Sequence, residues 1–288
     1  MSLKKTIVPL LIILAGCGGE DGSRPSEPTT VVLWEFGGVP GLRDWVQQAV
    51  EEFNASRSDI QIELEFRDWG TQRESLISTT IVGDGPDVVR VHHKYSVEFG
   101  ELGGLYPLDN FPDFPHVKER VLDNVWELVE YEGKHYGLPV TMLPFVLAVN
   151  TDIMAKKGLD TPQTWEEMLA LGPEFAGSGV DLFTMPGGVN LDTAYRFLPL
   201  LYKAGGRVFN EDWTKAAFNG PAGLAALEFL MAMKNQGYMP PGSAAYAFDE
   251  NAAHWATGRA ALSIEGPWWQ DIVHGNYEFD LKNLALAQ

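Results

Sequence analysis

The order of hydrophobic periodicities between residues 31 and 91 constrains the fold more than any other feature of this 288-residue chain. Residues 31–36 are a short apolar run ending at Gly37-Gly38, which predicts a strand and a turn. Leu42, Trp45, Val46, Ala49, Val50 and Phe53 then recur at helical spacing, so an amphipathic helix is expected over 41–54. Ile60, Ile62, Leu64 and Phe66 alternate with Asp59, Gln61, Glu63 and Glu65. That period of two predicts a strand with one wet face, near a sheet edge. A helix over 72–82 stopped by Gly83, then a buried strand over 87–91, completes the series. Strand, helix, strand, helix, strand is the order of an α/β lobe, because parallel strands need a crossover and the crossover helix covers the sheet.

Further along, 100–110 reads as a helix end and a tight loop around Gly103-Gly104 and Pro107, and 117–129 as a helix. Tyr131-Glu132-Gly133-Lys134 predicts a hairpin turn, and 145–150 a strand near which the chain passes to a second lobe. Thr164 and Glu167 form a capping box for a helix starting at Trp165, which Pro173 should bend or end. Helices are expected over 191–204, closed by Gly205-Gly206, from Pro221 to about residue 236, closed by Gly237, and over 249–257. The last delivers the chain to an apolar run, 260–264, short enough for a buried strand, which Gly266-Pro267 ends before Trp268 and Trp269. Two readings of these tryptophans stand: core closure, or one wall of a ligand crevice at the carboxyl end of a strand. A final strand over 284–288 is read as heading back toward the first lobe.

Apolar residues make up 45% of the chain and charged residues 21%, enough for a sizeable core. A formal charge of -18 argues against nucleic acid as a partner and against electrostatic adhesion to anionic lipid. The one cysteine, Cys17, precludes a disulfide within the chain. Lys4 and Lys5 precede an apolar stretch over 7–14, and Leu14-Ala15-Gly16-Cys17 follows. This resembles a bacterial lipoprotein signal. The stretch is far shorter than the roughly 20 residues that span a bilayer. The resemblance implies a signal peptide over 1–16, lipidation of Cys17, and export to the periplasmic or extracellular side with a lipid anchor in the cell membrane. Residues 17–30, rich in Gly, Ser, Pro and acids, read as a flexible tether.

A dispersed set of motifs carries a second resemblance: Gly83-Asp84-Gly85-Pro86-Asp87-Val88-Val89, Leu105-Tyr106-Pro107-Leu108-Asp109, Gly133-Lys134-His135-Tyr136-Gly137-Leu138-Pro139, Asn150-Thr151-Asp152, Thr161-Pro162-Gln163-Thr164-Trp165-Glu166-Glu167, and residues 258–268. In this order they resemble the extracellular solute-binding proteins of ABC importers, in the maltose-binding-protein-like, sugar-binding branch. The resemblance implies an α/β, two-lobed periplasmic-binding-protein-like fold with a hinge and an interlobe cleft, the lobes covering 31–143 and 144–288. It implies a sugar or oligosaccharide held in the cleft for delivery to permease subunits, with no catalysis and no cofactor. A pyranose needs an aromatic ring for its C–H face and polar groups for its hydroxyls.

Matched by position, Trp268 is the stacking aromatic, and Tyr195 is either a second aromatic of the site or a core residue. Arg90, His92, His93 and Tyr95, following the Pro-Asp-Val-Val strand, are polar ligand contacts, and they depart from the acid of the maltose branch. Phe36 and Gly38 end the first strand and face the cleft, while Trp34 packs; Thr141 lies near the hinge. Metal is not expected, because neighbouring side chains at a strand end point apart and His92 and His93 have no third ligand. Family members continue well past the Gly-Pro-Trp segment, so a C-terminal truncation with exposed apolar surface is expected.

The main rival is an extracellular glycoside hydrolase using paired carboxylates. Glu35, Asp84, Asp87 and Glu265 are candidates, although spacing assigns no acid and base among them. There is no Gly-x-Ser-x-Gly elbow, His-Glu-x-x-His motif or phosphate-binding loop. A third reading is a surface adhesin or scaffold, which needs no cleft.

Overall fold

The computed structural model describes residues 27–37 and 40–287. Gly38, Cys17, the signal segment and most of the tether lie outside the described residues. The chain divides into two compact units between Met142 and Leu143.

In the first unit, β1 (Thr29–Phe36), α1 (Pro40–Ser56), β2 (Ile60–Arg67), α2 (Gln72–Val82) and β3 (Val88–Arg90) follow in order. They give a parallel sheet in the order β2-β1-β3, with Leu33 in register with both Leu64 and Val88. The helical stripe of α1 packs Val46 and Val50 against Leu33 and Ile62, which explains why β2 buries one side only. Gly83, at φ 72°, closes α2 through a left-handed conformation that costs a Cβ-bearing residue about 1 kcal/mol or more.

Beyond β3 lies the helix whose end was expected near Gly103-Gly104. The strand is three residues long and half-buried, because the chain turns at once into α3 (His93–Glu101), capped by His92. The helix expected over 117–129 is two pieces, α4 (Phe114–Lys118) and a 3₁₀ segment over Asp123–Val129, separated where Leu122 becomes extended at ψ 134°. Phe114, Trp126 and Val129 from the two pieces share one apolar cluster. β4 (Glu130–Tyr131) and β5 (Lys134–His135) form the expected hairpin, with Glu132 and Gly133 both at positive φ, as a tight two-residue turn requires.

The second unit begins with β6 (Val146–Asn150), α5 (Thr151–Lys157) and α6 (Trp165–Ala170). Thr164 Oγ1 accepts from the Glu167 amide (3.1 Å), but Glu167 Oε2 reaches back to the Gln163 amide (2.7 Å), one residue earlier than in a capping box. A strand with no clear periodicity, β7 (Asp181–Thr184), precedes α7 (Leu191–Lys203), α8 (Pro221–Asn235) and α9 (Phe248–His254). Gly258, at φ 76°, ends the following helical turn and launches β8 (Ala260–Glu265), all six residues of which are buried. Last come α10 (Trp269–Tyr277) and β9 (Leu284–Ala287).

The sheet order is β7-β8-β6-β9, with β8 parallel to β7 and antiparallel to β6. β9 pairs antiparallel with β6, so the final strand belongs to the second unit. The main core lies between this sheet and α6 to α8, around Leu182, Phe183, Leu200, Phe229, Met233 and Leu262. Leu224, Leu227 and Met231 leave an exposed apolar stripe on α8. Among the described residues, no helix is long and apolar enough to cross a membrane.

Candidate functional site

In the first unit the polar residues gather where β1 and β3 end. Glu35 and Arg90 lie in register on these neighbouring strands and form an ion pair. Glu35 is 1% exposed, and burial raises its carboxyl above the ordinary range against the pull of Arg90. A Cβ at Gly37 would stand 2.8 Å from Glu35 Oε1, so the backbone closes over this carboxylate. Arg90 is thereby a partner of Glu35, and its guanidinium remains half-buried beside the strand end.

His92 caps α3, its Nδ1 facing the Lys94 amide at 3.4 Å, while its own amide donates to the buried Gln72 Oε1 (2.9 Å). The expectation that His92 and His93 diverge fails. Their rings lie 4.2 Å apart at 34°, because the chain is already entering a helix and strand alternation no longer applies. Burial lowers both imidazoles, His92 to about 4, so both are neutral at pH 7 and can exchange hydrogen bonds with hydroxyls. Among the described residues, no group of three His, Cys, Asp or Glu side chains could hold a metal ion.

Two further first-unit expectations need correction. Tyr95 packs with Leu76 and Phe99 in a core cluster, since its position in the first turn of α3 turns it inward. Phe36 is fully buried, edge-on to Trp34 at 6.3 Å, and presents no open ring. Trp34 packs as expected, beneath the Arg67 guanidinium at 3.7 Å. Thr141 is exposed in the irregular stretch just before the unit boundary.

In the second unit the corresponding feature is the end of β8. Trp268 is half-buried and sits on Gly266: a Cβ there would lie 2.0 Å from the indole. Phe145 meets the same ring edge-on at 5.2 Å. Trp269, one residue later, is fully buried between Trp255 and Phe248, which separates the two tryptophans into a partly open ring and a core ring. Tyr195 is half-buried on α7.

Beneath Trp268 lies a polar network that the sequence did not suggest. Glu265, with no exposed surface, takes a bidentate pair from Arg196, one bond being Nε to Oε1 at 3.0 Å. Asn251 Nδ2 donates to Glu265 Oε1 (2.9 Å) and Ser263 Oγ (3.2 Å), and Thr184 Oγ1 donates to Asn251 Oδ1 (2.8 Å). Arg196 also reaches Asp192 Oδ1 (3.2 Å). Burial pushes the Glu265 carboxyl up to about 7, with Arg196 opposing. Of the four acids weighed for hydrolysis, Glu35 and Glu265 are held in these buried pairs, and Asp87 accepts the Val32 amide (2.8 Å).

Hollows open on the second unit. One, of about 580 Å³, is lined by Asn150, Lys156, Lys157, Thr257 and Phe279 among others. The second, of about 520 Å³, is lined by Pro186, Val189, Phe197, Leu227 and Met231 among others. Neither is lined by Tyr195 or Trp268.

Two α/β units of this construction define the periplasmic-binding-protein-like class. A solute-binding protein of an ABC transporter from Thermotoga lettingae TMO, crystallised with α-D-tagatose, matches with a TM-score of 0.78 at 25% identity, over 90% of this chain and 67% of that one. The GacH receptor of Streptomyces glaucescens, whose structures include complexes with acarbose, matches at 0.79 and 22%, over 90% and 66%. The chain belongs to the bacterial extracellular solute-binding protein family, whose sequence pattern it matches over residues 40–283. The arabinooligosaccharide-binding protein of Bacillus subtilis (strain 168) is 24% identical over 279 residues, 95% of this chain and 63% of its own length. The chain thus spans less than two thirds of the curated relatives it matches, 56% of a Brucella abortus binding protein being another case.

Proposed function

We propose that this chain captures a sugar or oligosaccharide and passes it to the permease subunits of an ABC importer. The observation that carries this reading is the half-buried Trp268 indole seated on Gly266 at the carboxyl end of β8. An indole so placed offers the flat apolar face that the C–H side of a pyranose needs. In the first unit, the neutral imidazoles of His92 and His93 can exchange hydrogen bonds with hydroxyls. The ligands of the Bacillus, Thermotoga and Streptomyces proteins, all carbohydrates or carbohydrate-like, support the same class. Burial of Glu35 and Glu265 in ion pairs weighs against hydrolysis by those carboxylates. Cys17 is the proposed lipid attachment site, which would tether the exported protein to the cell membrane.

Calorimetry against maltotriose, arabinotriose, tagatose and mannitol tests the reading. Saturable binding, with the sugar recovered unchanged, is expected. In the Trp268→Ala variant affinity should fall by about 2 kcal/mol, the scale of an aromatic anchor. Absence of binding across a wide carbohydrate panel, or release of cleaved sugar, would overturn it.

A further inference from the structure

We propose that the buried Arg196–Glu265 pair is a positioning device for the Trp268 indole, and so a determinant of sugar affinity without touching sugar. The affinity half of this inference rests on the function proposed above.

The pair joins separate parts of the second unit at one point. Arg196 comes from α7, one residue after Tyr195, and Glu265 is the last residue of β8, immediately before Gly266. The fork-to-fork geometry fixes direction as well as distance, because two parallel N–H···O bonds resist rotation in a way that one does not. Asn251, from α9, and Ser263 also donate to Glu265 Oε1, the oxygen that accepts from Arg196 Nε, so the end of β8 is clamped from two helices.

From the pair, contact runs to the indole by aromatic packing. The Arg196 guanidinium lies 5.9 Å from the Phe145 ring, and Phe145 stands at 83° to Trp268. Gly266 supplies the floor. A buried ion pair is not the cheapest way to fill such a site, since apolar residues of equal volume often do as well or better for stability. What the pair adds is directionality, and the element it directs is the strand end that carries Trp268.

The test uses the full chain labelled with 5-fluorotryptophan, the Trp268 fluorine resonance being assigned by its loss in Trp268→Phe. Two variants are compared with the parent: Glu265→Gln, which keeps the shape but sets an NH2 donor where a carboxylate oxygen accepts, and the double replacement Arg196→Met with Glu265→Met, which removes both charges together. The Trp268 resonance should shift or broaden in both, while those of Trp34 and Trp126 in the first unit stay in place. Affinity for maltotriose or arabinotriose should fall by about tenfold, within the coupling range of residues in one network. Added to Trp268→Ala, the same changes should lose little more. An unmoved Trp268 resonance in the folded double variant, or an affinity loss that adds in full to that of Trp268→Ala, would overturn the inference. If the parent binds no carbohydrate, the sugar reading fails on its own and the fluorine spectrum still decides whether the pair positions the ring.

Discussion

Replacing Gly266 by alanine probes the seat of Trp268 directly. The added Cβ would lie 2.0, 2.3 and 2.5 Å from three carbons of the indole, and these are its three nearest heavy atoms. Carbons in contact prefer about 3.5–4.0 Å, so the ring must retreat by roughly 1.5 Å. Gly266 is not among the glycines with positive φ, so alanine brings no backbone strain to confuse the result. Overpacking of this kind costs about 1–3 kcal/mol, and each kcal/mol lowers the Tm of a unit this size by roughly 2–4 °C. Trp268→Ala alone should cost about 2 kcal/mol, less than the ~3–5 of a fully buried aromatic, because the ring is half-buried. In the double variant the methyl group has no ring to strike. Gly266→Ala should therefore cost almost nothing there, giving a coupling of about 1–3 kcal/mol. Denaturant melts of the four proteins measure it. Additivity within about 0.5 kcal/mol would refute the proposed seating of the indole.

Glu265→Gln should alter the pH dependence of stability. The folded carboxyl titrates at about 7, above its ordinary 4.5, so the folded state binds the proton more tightly. Its contribution is fully present below about 4.5 and is lost as pH rises through about 7; the parent's Tm should drop across that window relative to the variant's, and parallel curves would contradict this. For His92 the sign is opposite: its folded value is depressed to about 4, so stability is present above 6.5 and is lost as pH falls through about 4. An NMR midpoint near 6.5 for its imidazole would show that the burial is wrong. Thr164→Ala removes the cap of α6 and should cost about 1 kcal/mol, read by denaturant melt against a Thr164→Ser control that retains most of it. Cys17→Ser should abolish incorporation of labelled palmitate and release the exported protein from the membrane fraction; unchanged labelling would exclude Cys17 as the attachment site.

Elements with their own stop signals were legible in the sequence. The helix expected over 72–82 is α2 to the residue, because Gly83 adopts the left-handed cap that its position suggested. α8, with Pro221 in its first turn, and β8, bounded by Gly258 and the Gly-Pro step, fall within a residue of the expected ends. Only the end of α3 was legible; its start was missed because its buried side mixes Tyr95 and Phe99 with Ser96 and Gly100, leaving a weak apolar stripe. β7 was missed because it has four residues and no polar alternation. A strand buried on both sides shows no period of two.

The polar network was hidden for a different reason. Arg196 and Glu265 are 69 residues apart, and no spacing rule connects a helix to a strand at that distance. Each nevertheless carried a signal. Arg196 stands four residues before Leu200 on the buried side of α7, and Glu265 closes a strand that is otherwise without charge. A charge on a buried face needs a partner, so two such residues of opposite sign were candidates for each other.

Gly266 shows how a correct boundary can conceal its own cause. Gly266-Pro267 reads as punctuation, a place where a strand must stop. The strand does stop there, yet Gly266 has no left-handed conformation to accommodate. What it lacks is a Cβ, and the space goes to the Trp268 ring. A glycine required by a neighbour's side chain and one required by its own backbone are indistinguishable in sequence. They differ under substitution: alanine at Gly258, where φ is 76° and nothing lies within 4 Å of a new Cβ, strains the backbone whatever its neighbours. At Gly266 the penalty should vanish with the indole.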